Sequence, residues 1–440
     1  MRQEQPGLSG KSVSGGIDYL APAPEQRRSL GNMVSAPERL LLTRMLRAIG
    51  EPPVQLVLWN GEKISSRDRG AVASVLIRDR GALLKLASNP ELYFGELYAT
   101  RRVEVHGDLL DFLEAIYQVW PLTGTGTIGE KLWSPFRDAR RNTISGSRNN
   151  IHHHYDIGND FYKLWLDERM VYTCAYFPNP HTSLEKAQFA KLDHVCRKLR
   201  LQPGETVVEA GCGWGALALH MAKHYSVKVK AYNISSEQIA FARQRARAEG
   251  LDGQVEFVED DYRNVQGEFD AFASVGMLEH VGTGNYRELG AVIDRCLKDN
   301  GRGLIHTIGL NYPRPMDAWT ERHIFPGACP PSLGQMMQIF EPYDFSVLDV
   351  ENLRLHYAKT LDHWLRRYEE NIERVTEMFD EKFARAWRLY LAGSLTAFKV
   401  GGMQLFQVSF ARAGHNEIPW TRQYLYGPQR VPLGESNGKL

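Results

Sequence analysis

The chain has 440 residues, 43% of them hydrophobic, which is enough to bury a sizeable core and long enough for two or three domains. Lys and Arg number 53 against 52 Asp and Glu, a net charge of +1, so no global field recruits nucleic acid and an anionic partner has to be met by a local patch. The five cysteines, Cys174, Cys196, Cys212, Cys296 and Cys329, are scattered and lack any C-x-x-C spacing, which argues against a disulfide framework and against a structural zinc site.

Residues 1–36 are rich in Gly, Ser, Pro and Gln and are expected to form a flexible tail. They carry no apolar h-region, and no run in the chain approaches the length of a membrane span, so a cytoplasmic setting with reduced thiols is expected. From Ala36, "APERLLLTRMLRAIG" has a helical pattern, "PVQLVLWNGEKI" reads as a hairpin around Asn60-Gly61, and residues 81–119 offer two amphipathic stretches around a short alternating strand. Residues 37–120 therefore read as a small α+β domain. Residues 121–150 read as a linker whose centre is basic, with Arg137, Arg140, Arg141 and Arg148 against the single acid Asp138 after Trp133. Either a solvated connector or a patch for an anionic membrane surface fits that composition.

Beyond Leu201, the β-branched runs "TVVEAG", "VKVKAYNI", "VEFVEDD", "FDAFASVG", "RGLIHTIG" and "FQVSFAR" alternate with helical segments, the pattern of an α/β fold with a mostly parallel sheet. Two aromatic-dense insertions, residues 310–336 and 357–398, break the alternation. Trp319, Phe325, Trp364 and Trp387 within them are either core residues or the wall of an apolar pocket. Residues 151–425 form the expected catalytic domain, and 426–440 a C-terminal tail.

The first run leads into Glu209-x-Gly211-x-Gly213-x-Gly215. Glycines there let the backbone turn sharply and approach a ligand, and the helix that follows offers free N–H groups. The spacing is not G-x-G-x-x-G, and the second run ends at Asn233 rather than at an acid, which disfavours NAD. A carboxylate at Glu209 suits the cationic head of S-adenosylmethionine instead. The consecutive histidines His152, His153 and His154 point in different directions on a helix or a strand and lack a partner to complete a tetrahedron, so no metal is expected.

Taken together and in order, "HYDIGNDFYKLWLDERMVYTCAYF" (154–177), "GCGWG", "SVGMLEHVG" (274–282), "HTIG" (306–309) and "IFPGACPPS" (324–332) resemble the cyclopropane-fatty-acyl-phospholipid synthase family, which includes the mycolic acid cyclopropane synthases. The resemblance implies a class I S-adenosylmethionine-dependent methyltransferase domain, Rossmann-like, with a helical aromatic-rich insertion and a small lipid-docking α+β N-terminal domain. It implies transfer of a methylene from S-adenosylmethionine to the cis double bond of an unsaturated phospholipid acyl chain. The alternative is a related lipid C-methyltransferase that leaves a methylated or methylene-branched chain.

In the same way, the resemblance implies a bicarbonate ion as general base, held by residues matching Cys174, Glu279, His306, Ile308 and Tyr357. The cofactor is expected to meet Tyr155, Tyr172, Thr173, Glu209, Gly211, Gly213, Asn233, Gln238 and Asp260 or Asp261. Glu209 stands where the family more often has Asp, and Asn233 where Thr is usual. Glu279 and His306 are read as following the fourth and fifth strands, where open α/β sheets place their sites. A homodimer attached peripherally to the inner face of the cytoplasmic membrane, meeting unsaturated phospholipids and no nucleic acid, completes the expectation. A rival of another class is a silent methyltransferase fold that only binds lipid. The glycine turn together with Cys174, Glu279, His306 and Tyr357 speaks against it.

Overall fold

Ser35 opens the first helix, α1 (Ala36–Ala48), through a capping box in which its side chain accepts from the Glu38 N–H while the Glu38 carboxylate takes the Ser35 N–H. The computed structural model describes residues 33–65, 70–119 and 157–426. Trp133, the linker arginines, the three consecutive histidines and Tyr155 lie outside the described residues, as do most of both tails. The hairpin at Asn60-Gly61 joins β1 (Val54–Leu58) to an antiparallel β2 (Lys63–Ser65), with Gly61 at φ 83.

Two features of this small domain depart from the reading of its sequence. A further strand, β3 (Ala73–Ile77), pairs in parallel with β1 and antiparallel with β4 (Val103–His106), giving the order β2-β1-β3-β4. Five apolar-leaning residues carry little periodicity, and the partner strand lies well back in the chain, so nothing local marks the pairing. The long amphipathic stretch after it is two helices, α2 (Arg80–Ser88) and α3 (Pro90–Ala99), because Pro90 has no N–H to continue the first and Asn89 caps the second by accepting from Leu92 N–H. Helix α4 (Leu109–Val119) closes the domain.

The catalytic sheet contains β5 (Thr206–Ala210), β6 (Lys228–Asn233), β7 (Val255–Glu259), β8 (Phe269–Val275), β9 (Leu297–Gly309), β10 (Phe345–Asn352) and β11 (Gln404–Arg412), in the order β10-β11-β9-β8-β5-β6-β7. Strands β5 to β9 run parallel, and β11 is wedged antiparallel between β9 and β10. The order reverses between β5 and β8, and at such a switch point the carboxyl ends of the strands open into a crevice. Strand β10, "FSVLDVEN", is absent from the sequence reading because it is an edge strand, half-exposed and rich in polar residues. His306 needs a correction as well: it lies inside β9, three residues before its end, paired with Val275 and Gln407 on the two sides.

Around the sheet lie α5 (Asn159–Tyr162), α6 (Leu184–Lys198), α7 (Ala216–Tyr225), α8 (Ser236–Ala248) and α9 (Tyr286–Cys296). The insertions supply α10 (Ala318–His323), α11 (Leu333–Phe340) and the long pair α12 (Arg354–Glu370) and α14 (Glu381–Val400), with α13 (Ile372–Met378) between them. Trp364 and Trp387 belong to the core of this cap. Their rings meet Trp165 at 5.6 and 6.1 Å, and Trp387 meets Phe161 at 5.0 Å edge to face.

The small domain packs on the cap through α3 and α4. At Gly95 the Trp319 indole sits so close that a Cβ there would lie 2.3 Å from a ring carbon. Arg385 lies over the Tyr98 ring at 4.2 Å, and Arg388 donates to the Tyr98 hydroxyl at 3.2 Å. The exposed pairs Arg101–Glu381 and Lys399–Glu114 add little, since solvent screens them. Gly95→Val is therefore expected to lower unfolding stability by about 1–3 kcal/mol through overpacking against Trp319. Gly284→Ala, where nothing lies within 4 Å of the added atom, should stay within about 0.5 kcal/mol of the parent. Denaturant unfolding of the two variants tests the contact, and equal midpoints would mean that Trp319 yields freely.

Candidate active site

Strand β5 ends at Ala210, and the chain reaches α7 through Gly211, Gly213 and Gly215, all at positive φ. At Gly215 an added Cβ would strike the Phe257 ring at 2.6 Å and the Ala242 Cβ at 2.9 Å, so this glycine is required by packing. At Gly213 it would meet nothing within 4 Å, because this position faces a cleft. Tyr172, Thr173, Glu209, Gly211, Gly213, Asn233, Gln238, Asp260 and Asp261 all line that cleft.

The sheet explains why residues so far apart in sequence converge. Glu209 is the penultimate residue of β5, Asn233 ends β6 and Asp260 follows β7, three adjacent parallel strands, so their positions spread over about 10 Å across the sheet at ordinary strand spacing. Asn233 donates to Gln238 Oε1 at 2.7 Å and to the Gly213 carbonyl at 3.3 Å. Asp261 gives both oxygens to the Arg263 guanidinium at 2.8 Å, whereas Asp260 accepts from the Asp261 N–H and from Asn264 on one oxygen only. Asp260 is thus the acid with the freer carboxylate.

Glu209 is buried, and burial pushes its pKa up to about 8, with Lys191 and the Ala218 N–H at the start of α7 opposing the shift. Its Oε2 has no hydrogen-bond partner among the described residues. Lys191, which sequence reasoning missed, lines the same cleft from α6; burial pushes it down to about 8, and its Nζ donates to Thr173 Oγ1 at 3.0 Å. A signal was available: Lys191 falls on the stripe of Leu184, Ala187, Gln188 and Val195, the face α6 buries. Over the cleft, the Trp214 indole N–H donates to Asn159 Oδ1 at 2.6 Å, and the hydroxyls of Tyr172 and Tyr390 share a 2.8 Å hydrogen bond.

A second cluster adjoins the first across the loop Gly276–His280, whose Gly276, Met277 and His280 line the cleft. In it the Ile308 N–H donates to Glu279 Oε1 at 2.6 Å. Burial pushes Glu279 up to about 7, the Ile308 N–H works against that shift, and Oε2 has no hydrogen-bond partner among the described residues. His306 lies 3.0 Å from the Gln407 side-chain amide through Nδ1, while Nε2 has no such partner, and burial holds the ring well below its usual pKa and so neutral. The Cys174 thiol, fully buried, points at the Ala175 and Leu353 carbonyls, and burial pushes its pKa up, which keeps it protonated. The Leu353 carbonyl also accepts from the Tyr357 N–H, so Cys174 and the first turn of α12 meet there. Of the five expected anion holders, the structure thus joins Glu279 to Ile308 and Cys174 to the turn of Tyr357, and holds His306 separately through Gln407. The Ile308 N–H, the only group through which this residue could donate to an anion, is taken by Glu279.

Residues 143–408 match the family described as mycolic acid cyclopropane synthetase, and residues 41–120 match one described only as a domain of unknown function. The chain is 36% identical over 385 residues to a probable fatty acid methyltransferase of Pseudomonas putida, covering 85% of this chain and 96% of that protein. It is 42% identical over 270 residues to the cyclopropane-fatty-acyl-phospholipid synthase of Escherichia coli K12, covering 60% of this chain and 68% of that one. Among solved structures, the mycolic acid cyclopropane synthase CmaA1 complexed with SAH and CTAB superposes with a TM-score of 0.57 at 29% identity, over 60% of this chain and 97% of that one.

The glycine turn gives a direct test of the cleft geometry. Gly215→Ala should cost about 2–4 kcal/mol, combining overpacking with a left-handed backbone. Gly213→Ala should cost only the backbone term, about 1 kcal/mol. Equal losses in denaturant unfolding would mean that the space over Gly213 is already filled.

Proposed function

Since the chain belongs to the mycolic acid cyclopropane synthetase family, we propose that this S-adenosylmethionine-dependent methyltransferase acts as a cyclopropane-fatty-acyl-phospholipid synthase, building a methylene bridge across the cis double bond of an unsaturated phospholipid chain. The observation that carries the reading is the adjacency of the two clusters: a glycine-floored cleft with the acid Glu209 on its wall lies one loop away from a buried Glu279 held by the Ile308 N–H. S-adenosylmethionine fits the cleft, because Glu209 Oε2 is a buried acceptor in want of a donor and Gly213 leaves its floor open. When bound it supplies an electrophilic methyl.

An alkene is a weak nucleophile with no proton to remove first, so the protein's part is to align it and to stabilise the cation that forms on the chain. Aromatic faces do this without trapping the cation. Phe325 and Tyr390, whose rings lie 5.5 Å apart, stand beside the cleft: Phe325 meets His280 at 5.9 Å, and Tyr390 binds the Tyr172 hydroxyl. Closing the ring requires loss of one proton from the new methyl, and for this we infer a bound bicarbonate. Glu279 Oε2 and His306 Nε2, both buried without a hydrogen-bond partner, fit a small anion that can donate as well as accept, with Cys174 and Tyr357 completing the set and the Ile308 N–H acting only through Glu279 Oε1. When bound it supplies a base too weak to be alkylated readily.

The Pseudomonas putida relative, a probable fatty acid methyltransferase similar over nearly its whole length, supports a second reading, a lipid C-methyltransferase that leaves a methylated or methylene-branched chain: loss of the proton on the methyl-bearing carbon gives the methylated alkene, and a 1,2-hydride shift followed by loss of a methyl proton gives the methylene branch. In either reading the enzyme has to reach a bilayer, and we assign docking to the small domain, where exposed Leu40 and Leu84 stand among the exposed Arg44, Arg47 and Lys85. No helix among the described residues is long and apolar enough to cross a membrane. A homodimer belongs to the same proposal.

Expression in a host without such lipids, followed by proton NMR of the fatty acids, separates the outcomes: high-field cyclopropane signals are expected, vinylidene signals would favour the second reading, and no new lipid would reject both. A pH profile tests Glu279. Because its pKa is raised to about 7, the carboxylate is protonated below that pH, and turnover should fall about tenfold per unit as pH drops below 7 and level off above it. Glu279→Gln should lower turnover roughly 30- to 1000-fold and remove that inflection while cofactor affinity stays within a few-fold. Wild-type turnover that ignores carbonate depletion would remove bicarbonate from the account.

A further inference from the structure

The geometry points to Lys191 as the residue that receives the α-carboxylate of S-adenosylmethionine, so that Lys191 and Glu209 together read the zwitterionic end of the ligand. The inference rests on the cofactor reading above and adds to it a side chain and a recognised group.

A lysine with 1% of its surface exposed is costly to bury, and such a group is expected to be paired. The pairing here is incomplete. The Lys191 ammonium has three protons, and the one partner within hydrogen-bond distance among the described residues is the neutral Thr173 hydroxyl. Asp167 and Glu209 attract it electrostatically, yet neither carboxylate comes within 4.0 Å of its Nζ. Asp167 is occupied elsewhere, accepting from the Val171 and Arg169 N–H groups at 2.8 and 3.0 Å. Glu209 retains an oxygen without a partner. A buried lysine and a buried glutamate thus stand on the wall of one cleft, neither saturated, with Thr173, bonded to Lys191, on the same wall.

That arrangement is complementary to an α-amino acid tail. A lone carboxylate on the wall would take any cationic ligand, and a lone ammonium any anionic one. Both together recognise a group that carries an ammonium and a carboxylate on one carbon, with Glu209 taking the first and Lys191 the second. The Thr173 hydroxyl, which accepts from Lys191, still has its own proton to give to the same carboxylate. Strand order places this end of the cleft at β5 and the acids Asp260 and Asp261 beyond β7 at the other, consistent with a ligand that carries its zwitterion at one end and its nucleoside at the other.

Calorimetric titration of the full chain, without lipid, tests the assignment with two probes that share a sulfonium and a nucleoside: S-adenosylmethionine and its decarboxylated form. The unmodified protein should prefer the first by about 10- to 100-fold, the range of one charge-assisted hydrogen bond. In Lys191→Met the preference should collapse to within about threefold, chiefly through weaker binding of the carboxylate-bearing probe, while Lys191→Arg should keep part of it. Equal weakening of both probes in Lys191→Met would make the lysine a structural counter-ion, and an undiminished preference would place the carboxylate elsewhere; either result overturns the assignment. Should Lys191→Met fail to fold, the unmodified protein decides by itself, since the lack of any preference overturns the assignment. If the unmodified protein binds neither probe, the cofactor reading falls and this inference with it.

Discussion

Segment 158–177 has almost no backbone ladder of its own, yet it supplies Tyr172, Thr173 and Cys174, and what holds it is a set of ring contacts. Phe161, Tyr162 and Trp165 are fully buried and pack edge-on or tilted against Trp364, Trp387 and Trp214 at centroid distances of 5.0 to 5.6 Å in the closest pairs. Rings in such arrangements combine large buried area with directional attraction. Hydrogen bonds tie the span along its length, Trp214 to Asn159 near its start, Tyr172 to Tyr390 within it, and the Ala175 and Phe177 N–H groups to Thr360 and His356 at its end. The roof of the cleft, the glycine turn beneath it and the helical cap are therefore one packing unit.

The same unit explains how the molecule tolerates its buried charges. Glu209, Lys191 and Glu279 are all taken out of water and have their pKa values moved toward neutrality, a departure from the ordinary rule that charged groups stay at the surface. Each is a destabilising feature when considered alone; Glu209 and Glu279 lie at or just beyond the carboxyl ends of parallel strands, and Lys191 reaches the cleft from α6. They are tolerated because the core beneath and the aromatic cap above are extensive and because single backbone N–H groups, at Ala218 and Ile308, partly satisfy the acids. Strain concentrated in this way at a cleft is what a binding site requires.

The small domain contributes to this cap from outside. Trp319, which belongs by sequence to an insertion of the catalytic domain, is buried against Gly95 of α3, and α14 is gripped through Arg385 and Arg388 on Tyr98. The small domain is thereby in contact with the helix that carries Tyr390, whose hydroxyl is hydrogen-bonded to that of the cleft residue Tyr172.

Much of this architecture is legible in the order of residues. Alternating β-branched runs and helical segments specify an α/β sheet, and the Glu209 to Gly215 turn marks where its crevice opens, because a strand that must turn at once into a helix beside a ligand demands residues without a Cβ. Motif order carried the family. The sequence could not show β3 and β10, whose short or polar runs acquire meaning only from the strand beside them, nor that His306 sits within β9 rather than beyond it. It could not show that the Ile308 N–H is taken by Glu279, since that bond joins the end of β9 to the loop after β8, 29 residues back in the chain. Nor could it tell a lysine on a buried helix face from one in solvent: Lys191 becomes a partner of the cleft only when α6 is laid against β5. Local pattern records what each segment prefers, whereas the meeting of charges across segments is decided by packing, and packing is a property of the whole chain.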